Sequence, residues 1–337
     1  MTIKFNNIYL GDNSVVAGPF LNSGPLKGKF DDEYNDFYDG EKTFEDCEIK
    51  EAVKCINILL EKDKENKPDI FLSTDLINQL VISNFVAKKI KVPYMGIYNA
   101  CASFSEEIII GSSLLYNRDI NRVLCLTSAH NLTAERQYRN PVEYGAPKPE
   151  YATFTVSAAT SFILTKKKTN IKIESATIGE VLDYGVKDSF DMGSSMAPSA
   201  VSTLCKHLKD TKREPDYYDL ILTGDLGKYG KEIFKILFKK EYGKNLSNYN
   251  DSAVLVYDMN DERVLAGGSG PSCLPSYYFK GIYPDMINKK IKKVLLLSTG
   301  ALLNTTSVNQ KKPIPCVCHA VSLEVIWYTF IHFYLQV

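Results

Sequence analysis

The sequence predicts a duplicated α/β fold, with sheets covered by helices. Three observations carry that reading. Extended apolar runs alternate with helix-like ones, the second half of the chain repeats the first, and the bulk composition is that of an ordinary globular protein.

The alternation is clearest between residues 69 and 128. DIFLST (69–74) is a short apolar run that reads as a buried strand. QLVISNFVAKKI (79–90) follows with helical spacing and lysines in its last turn, where the helix dipole favours cations. VPYMGIY (92–98) is extended, Ala102 to Tyr116 is helical, and RVLCLTS (122–128) is a second buried strand.

The repeat is visible by eye. DLILTGDLGKYGKEIFKILFKK (219–240) mirrors DIFLSTDLINQLVISNFVAKKI (69–90), which makes Asp75 and Asp225 equivalent. CLPSYYFKGIYPDMINKKIKKVLLLSTGALLN (273–304) mirrors CASFSEEIIIGSSLLYNRDINRVLCLTSAHN (101–131). Cys101 to Thr127 spans 26 residues and Cys273 to Ser298 spans 25, so each cysteine precedes a helix and then a strand ending in Thr or Ser. Two halves are expected, 1–165 and 166–324, divided at the charged KKKTN (166–170), with an apolar tail over 325–337.

A chain of 337 residues can bury one large core or two fused halves. It is 45% hydrophobic and 24% charged with zero net charge, which argues against nucleic acid as a partner because phosphate binding needs a basic surface. The N-terminal MTIKFNNIYLGDNS has no apolar signal core, and eight irregularly spaced cysteines suggest reduced thiols, so a cytosolic compartment is expected. The tail VIWYTFIHFYLQV would span only about 20 Å as a helix, short of the roughly 30 Å needed to cross a bilayer. It reads as a buried final segment or as a membrane-associating one.

Candidate chemistry gathers around Cys101. A cysteine at the first turn of a helix faces free N–H groups and the positive dipole end, which favour thiolate. Ala100, Ala102 and Ser103 are small and leave room for a ligand. His130 follows a strand in SAHN, where α/β folds collect ligands, and His319 sits in the strand-like PIPCVCHAVSLE; either could serve Cys101 as a base. In NLTAERQYRNPVEYG (131–145), Thr133 would cap a short helix that Pro141 ends. Arg136 and Arg139, three apart, would share a face suited to carboxylates unless Glu135 and Glu143 neutralise them. DYGVKDSFDMGSSMAPSAVS (183–202) reads as a loop that lines a pocket or packs against the other half. INKKIKKV (287–294) reads as the solvated face of a helix. AGGSGPSC (266–273) reads as a glycine-rich turn, and Cys316, Cys318 and His319 lack the second ligand pair of a zinc site, so no metal is expected.

Several blocks together resemble one family. YNACASFSEE, TSAHNLTAERQYRNPVEYG, IGEVLDYGVKD, MGSSMAPSA, DYYDLILTGDLGKYGKEI, LAGGSG, LLLSTGALLN and IPCVCHAVSLE are similar, in order, to the stage V sporulation protein AD family of spore-forming bacteria, from about residue 15 to 324. The chain departs from that pattern at Asn99 and Ala102, which flank Ala100 and Cys101, and at GGSGPSCLP. The resemblance implies a thiolase-like, duplicated, layered αβαβα sandwich that forms homodimers. It implies a non-catalytic protein, needing no cofactor, that binds dipicolinic acid (pyridine-2,6-dicarboxylate), free or as its calcium chelate. Such a protein would aid uptake of that acid into the developing spore, with the other stage V sporulation A proteins, peripherally at the spore inner membrane on the forespore side. Cys101, His130, Arg136 and Arg139 are then the expected ligand-binding residues. The alternatives are a thiolase-type acyltransferase using Cys101 with His130 or His319, and a purely structural subunit. The absence of a GHP, GNP or GHG signature in the second half weighs against catalysis.

Overall fold

The computed structural model describes residues 1–65, 67–139 and 141–326. Five principal strands lie in the first half: β1 (Tyr9–Ala17), β2 (Ile70–Thr74), β3 (Tyr94–Gly96), β4 (Arg122–Ala129) and β5 (Ala158–Thr165). Five lie in the second: β6 (Ile171–Thr177), β7 (Leu220–Thr223), β8 (Tyr249–Asp251), β9 (Lys293–Ala301) and β10 (Cys316–Val325). They are joined edge to edge in the order β8-β7-β9-β10-β6-β1-β5-β4-β2-β3.

Outward from the β6–β1 junction, the two sides have one topology. β2 is parallel to β3 and β4, and β4, β5 and β1 continue antiparallel. β7 is parallel to β8 and β9, and β9, β10 and β6 continue antiparallel. The repeat in the sequence is therefore a pseudo-two-fold in the fold. Strands β4 and β5 are buried along their whole length, and β9 and β10 nearly so, as their mostly apolar sequences require when helices cover both faces.

The helices supply those covers. In the first half, α1 (Phe44–Asp63) and α2 (Val81–Ile90) pack on the outer face over Ile56, Leu59, Phe71, Leu124 and Ile163. Thr43 starts α1 by accepting the Asp46 N–H at 3.0 Å, with Glu45 and Asp46 in the first turn, where the dipole favours acids. A second helix-start motif follows Cys101, giving α3 (Ser103–Leu114), and a short α4 (Asn131–Arg136) follows β4. In the second half, α5 (Met192–Thr211) and α6 (Gly227–Tyr242) pack on the outer face over Leu204, Phe234, Leu295 and Leu297. The helix beginning at Cys273 is broken: α7 (Cys273–Tyr277), a π-helical turn at Tyr278–Ile282, and α8 (Tyr283–Ile287).

α3 and this broken helix lie between the half-sheets. Their core is Phe104, Phe162 and Phe279, with ring centroids 5.4–6.1 Å apart, plus Ile108 and Met286. Burying each such side chain contributes about 2 kcal/mol. The layers run helix, sheet, helix, sheet, helix.

Two expectations change here. Residues 183–202 are not all loop, because α5 begins at Met192, with Asp191 capping the Ser194 N–H at 3.1 Å. Residues 287–294 are not a helix face. α8 stops at Ile287, and the Asp219 carboxylate accepts the Lys292 and Lys293 N–H groups at 2.7 and 2.9 Å, fixing the start of β9. The apolar tail lies outside the described residues from 327 onward. Among the described residues no helix is long and apolar enough to cross a membrane.

Candidate functional site

A cavity of about 370 Å³ opens where Cys101 meets the second half, within the usual size of small-molecule pockets. Its floor is the Cys101 turn together with Ser269 and Gly270; its walls come from Tyr98, Tyr138, Met192 and Met196. The polar segment after β4 closes over it with Arg139, Tyr144 and Lys148.

The Cys101 turn is tightly built. Ala100 adopts a left-handed conformation, φ +49°, and Asn99 and Cys101 form a local bridge. Gly300 on β9 presses against it, since a Cβ there would lie 2.5 Å from the Asn99 carbonyl oxygen and 2.9 Å from the Ala102 nitrogen. The second half thereby fixes where the cysteine of the first half stands.

Asp225 lies behind the floor. It is buried, accepts the Gly270 N–H at 3.2 Å through Oδ2, and reaches the thiols of both Cys101 and Cys273. Its Oδ1 has no hydrogen-bond partner among the described residues. Burial pushes its carboxyl well above the carboxylate range, with neighbouring Asp251 adding to the effect. Burial also holds the Cys101 thiol well above its ordinary value, and the proximity of Asp225 reinforces this. Both shifts favour the neutral forms. Desolvation thereby opposes the thiolate expected from a helix start.

The cavity is lined by Cys101 and Arg139 but not by His130, Arg136 or His319. His130 is the N-cap of α4: its Nδ1 accepts the Leu132 N–H at 3.2 Å, so its Nε2–H donates to the Phe37 carbonyl at 3.0 Å. Phe44 stacks on the ring and Phe37 meets it edge-on, and burial lowers its pKa to about 4. His130, not Thr133, starts that helix, and Thr133 instead donates to buried Glu48 at 2.5 Å. α4 ends at Arg136, well before Pro141, so Arg136 and Arg139 share no helical face. Arg136 lies 5.1 Å over the Phe44 ring, a cation–π contact away from the cavity.

Arg139 has no ion-pair partner among the described residues. Glu135, one of the two acids that could have neutralised it, pairs with Lys148 and accepts hydrogen bonds from Thr155. His319 on β10 accepts the Gly179 N–H through Nδ1 at 3.2 Å, so its Nε2 carries the proton, and the Asn99 carboxamide 2.8 Å away accepts it once its oxygen is turned toward the ring. Burial lowers its pKa to about 4. Sequence reasoning placed no role on Asp225 beyond its equivalence to Asp75; the signal was that two cysteines and an aspartate occupied matching stations of one repeat. Residues 183–202 were read as possible pocket lining, and Met192 and Met196, in the first turns of α5, do line the cavity.

Solved structures share this architecture. OleA from Xanthomonas campestris superposes with a TM-score of 0.62 at 13% identity, covering 96% of this chain and 98% of its own. A 3-oxoacyl-[acyl-carrier-protein] synthase III from Aquifex aeolicus VF5 gives 0.56 at 12%, covering 94% and 99%. The fold is thus thiolase-like, two βα halves closing on a cysteine-floored cavity. The family model of stage V sporulation protein AD matches residues 1–324. The stage V sporulation protein AD of Bacillus subtilis (strain 168) is 38% identical over 319 residues, 94% of each chain. The chain belongs to the stage V sporulation protein AD family.

Proposed function

We propose that this protein binds dipicolinic acid in the Cys101 cavity and does no chemistry on it. The observation that carries the reading is Arg139, a guanidinium without an ion-pair partner among the described residues, at a cavity walled by tyrosines. A pyridine ring needs flat aromatic or apolar walls, and its carboxylates need charged donors if they are to leave water. Family membership supports the same ligand. A neutral Cys101 with no imidazole among the cavity-lining residues favours holding over attack. The protein would take the acid free or as its calcium chelate and aid its uptake into the developing spore. It would act as a homodimer, peripheral to the spore inner membrane, alongside the other stage V sporulation A proteins.

Calorimetry with dipicolinate on the full chain tests this. Saturable binding that weakens about tenfold or more in Arg139→Ala is expected, since a charge-assisted bidentate pair is lost. Absence of binding at millimolar ligand would leave a structural subunit as the better reading. The alternative of acyl transfer draws on the condensing-enzyme neighbours and the cysteine at the cavity floor. Incubation with acyl-CoA and mass spectrometry of the Cys101 peptide addresses it, and an acyl adduct that turns over would replace the binding reading.

A further inference from the structure

A second, open cleft of about 550 Å³ shares no lining residue with the Cys101 cavity. Its two walls are both irregular. On one side β1 carries a register shift between Leu10 and Asn13, and Asp12 and Asn13 line the cleft. On the other side lies the π-helical turn Tyr278–Ile282, which presents Lys280. Bulges and π turns redirect side chains at a local cost in backbone bonding, and both recur beside functional sites. Here two of them face one space.

The charges in that space do not balance. Lys280 is 9% exposed, and its ammonium meets Asp31 Oδ2 at 2.5 Å. Lys62 pairs with the other oxygen of the same carboxylate. Two ammonium groups share one acid, and that acid also accepts the Val15 N–H at 2.7 Å. Lys29 lines the same cleft. Of the acids in the lining, Asp285 is paired with Lys290 at 3.1 Å, which leaves only exposed Asp12. One positive charge stays uncompensated. A lysine ammonium has three N–H donors, and Asp31 takes only one from buried Lys280.

We propose that this cleft binds a phosphate group, held by Lys280, Lys62 and Lys29. The donor set favours phosphate over a single carboxylate. Three point-charge ammonium groups with no guanidinium fork suit a multiply charged, tetrahedral anion rather than a planar one. The phosphate would come from a soluble ester or from a lipid headgroup, and the two differ only in what is attached.

Titration of inorganic phosphate against the full chain, followed by ³¹P NMR, reads the site. Saturable binding is expected, weakened about tenfold by Lys280→Met or Lys62→Met and severalfold by Lys29→Ala, and weakening with added salt. Lys280→Met and Lys62→Met each leave Asp31 with one ammonium and the Val15 N–H, so the fold should persist, and exposed Lys29, which does not touch Asp31, provides a variant without a packing role. Cys101→Ala should leave phosphate binding unchanged; a loss there would place the anion in the other cavity and overturn the assignment. No saturation below about 10 mM, or equal binding by all three lysine variants, would also overturn it. Flotation with phosphatidylglycerol vesicles, lost in the same variants, assigns the phosphate to a headgroup. Phosphate binding without flotation assigns a soluble ligand.

Discussion

Asp75 and Asp225 stand at the same station in the two halves, just beyond β2 and β7, and do opposite work. Asp75 accepts the Ile77 N–H at 2.9 Å and the Ser83 N–H at 2.8 Å, tying the turn to the start of α2. Asp225 adopts a left-handed φ of +68° and turns toward Cys101 and Cys273. The anchoring of α6 passes to Asp251, which accepts the Gly227 N–H at 3.0 Å and the Ala253 N–H at 3.1 Å. At the other end of the same strands nothing has diverged. Asp69 accepts the Asn121 and Arg122 N–H groups at 2.7 and 3.0 Å, as Asp219 accepts those of Lys292 and Lys293. The duplicated scaffold keeps its latch at one end and gives up its symmetry at the end that holds the cavity.

The largest expected effect tests that division. Asp75→Ala leaves two N–H groups without acceptors, at a cost of about 1–2 kcal/mol each, and should lower unfolding stability by about 3 kcal/mol. Asp225→Ala leaves the Gly270 N–H and two weakly donating thiols, and should cost about 1 kcal/mol. Urea unfolding of both variants reads the difference, and equal losses would mean that Asp225 still anchors its half.

Much of this architecture was legible in the sequence, and the site much less so. Mostly apolar runs and the matched DIFLST and DLILTG segments located the strands, because burial on both faces admits few polar residues. The repeat located both cysteines at the starts of central helices. His130 was misread, since no local pattern separates a histidine that caps a helix from one that faces a ligand. The same holds for Arg136, whose guanidinium lies over Phe44 of α1, a partner remote in sequence. Asp225 differs from Asp75 through a partner contributed by β8, more than twenty residues away, which short-range spacing does not reveal.

The central layer offers a second, smaller contrast. Glu107 lies six residues past Cys101, and Phe279 six past Cys273, in the same buried layer. Phe279 packs among aromatic rings, whereas both Glu107 oxygens are buried without a hydrogen-bond partner among the described residues. Burial pushes that carboxyl well above its usual range, which favours its neutral form. Glu107→Leu should stabilise the fold by about 2 kcal/mol by removing an unpaired polar group from an apolar site. A drop in denaturation midpoint would show that the acid has a partner or a task in the folded protein.

The smallest effect separates the outer helices. The fifth residue of α1 is Glu48, and the fifth of α5 is Met196. Glu48 is buried between α1, β4 and α4, accepting from Ser128 at 2.8 Å and Thr133 at 2.5 Å. Burial, with nearby Asp75, raises its pKa from 4.5 to about 8. The folded chain therefore keeps a proton that the unfolded chain has released between those values. The contribution is fully present below about pH 4.5 and is lost as pH rises through 8. Stability should fall by about 2 kcal/mol from pH 6 to pH 8. Glu48→Gln, a neutral shape-mimic that can both donate and accept, should keep the pH 6 stability and flatten this slope. Urea titrations at pH 6, 7 and 8 compare the two proteins, and an equally steep slope in Glu48→Gln would assign the proton to another buried acid of the first half.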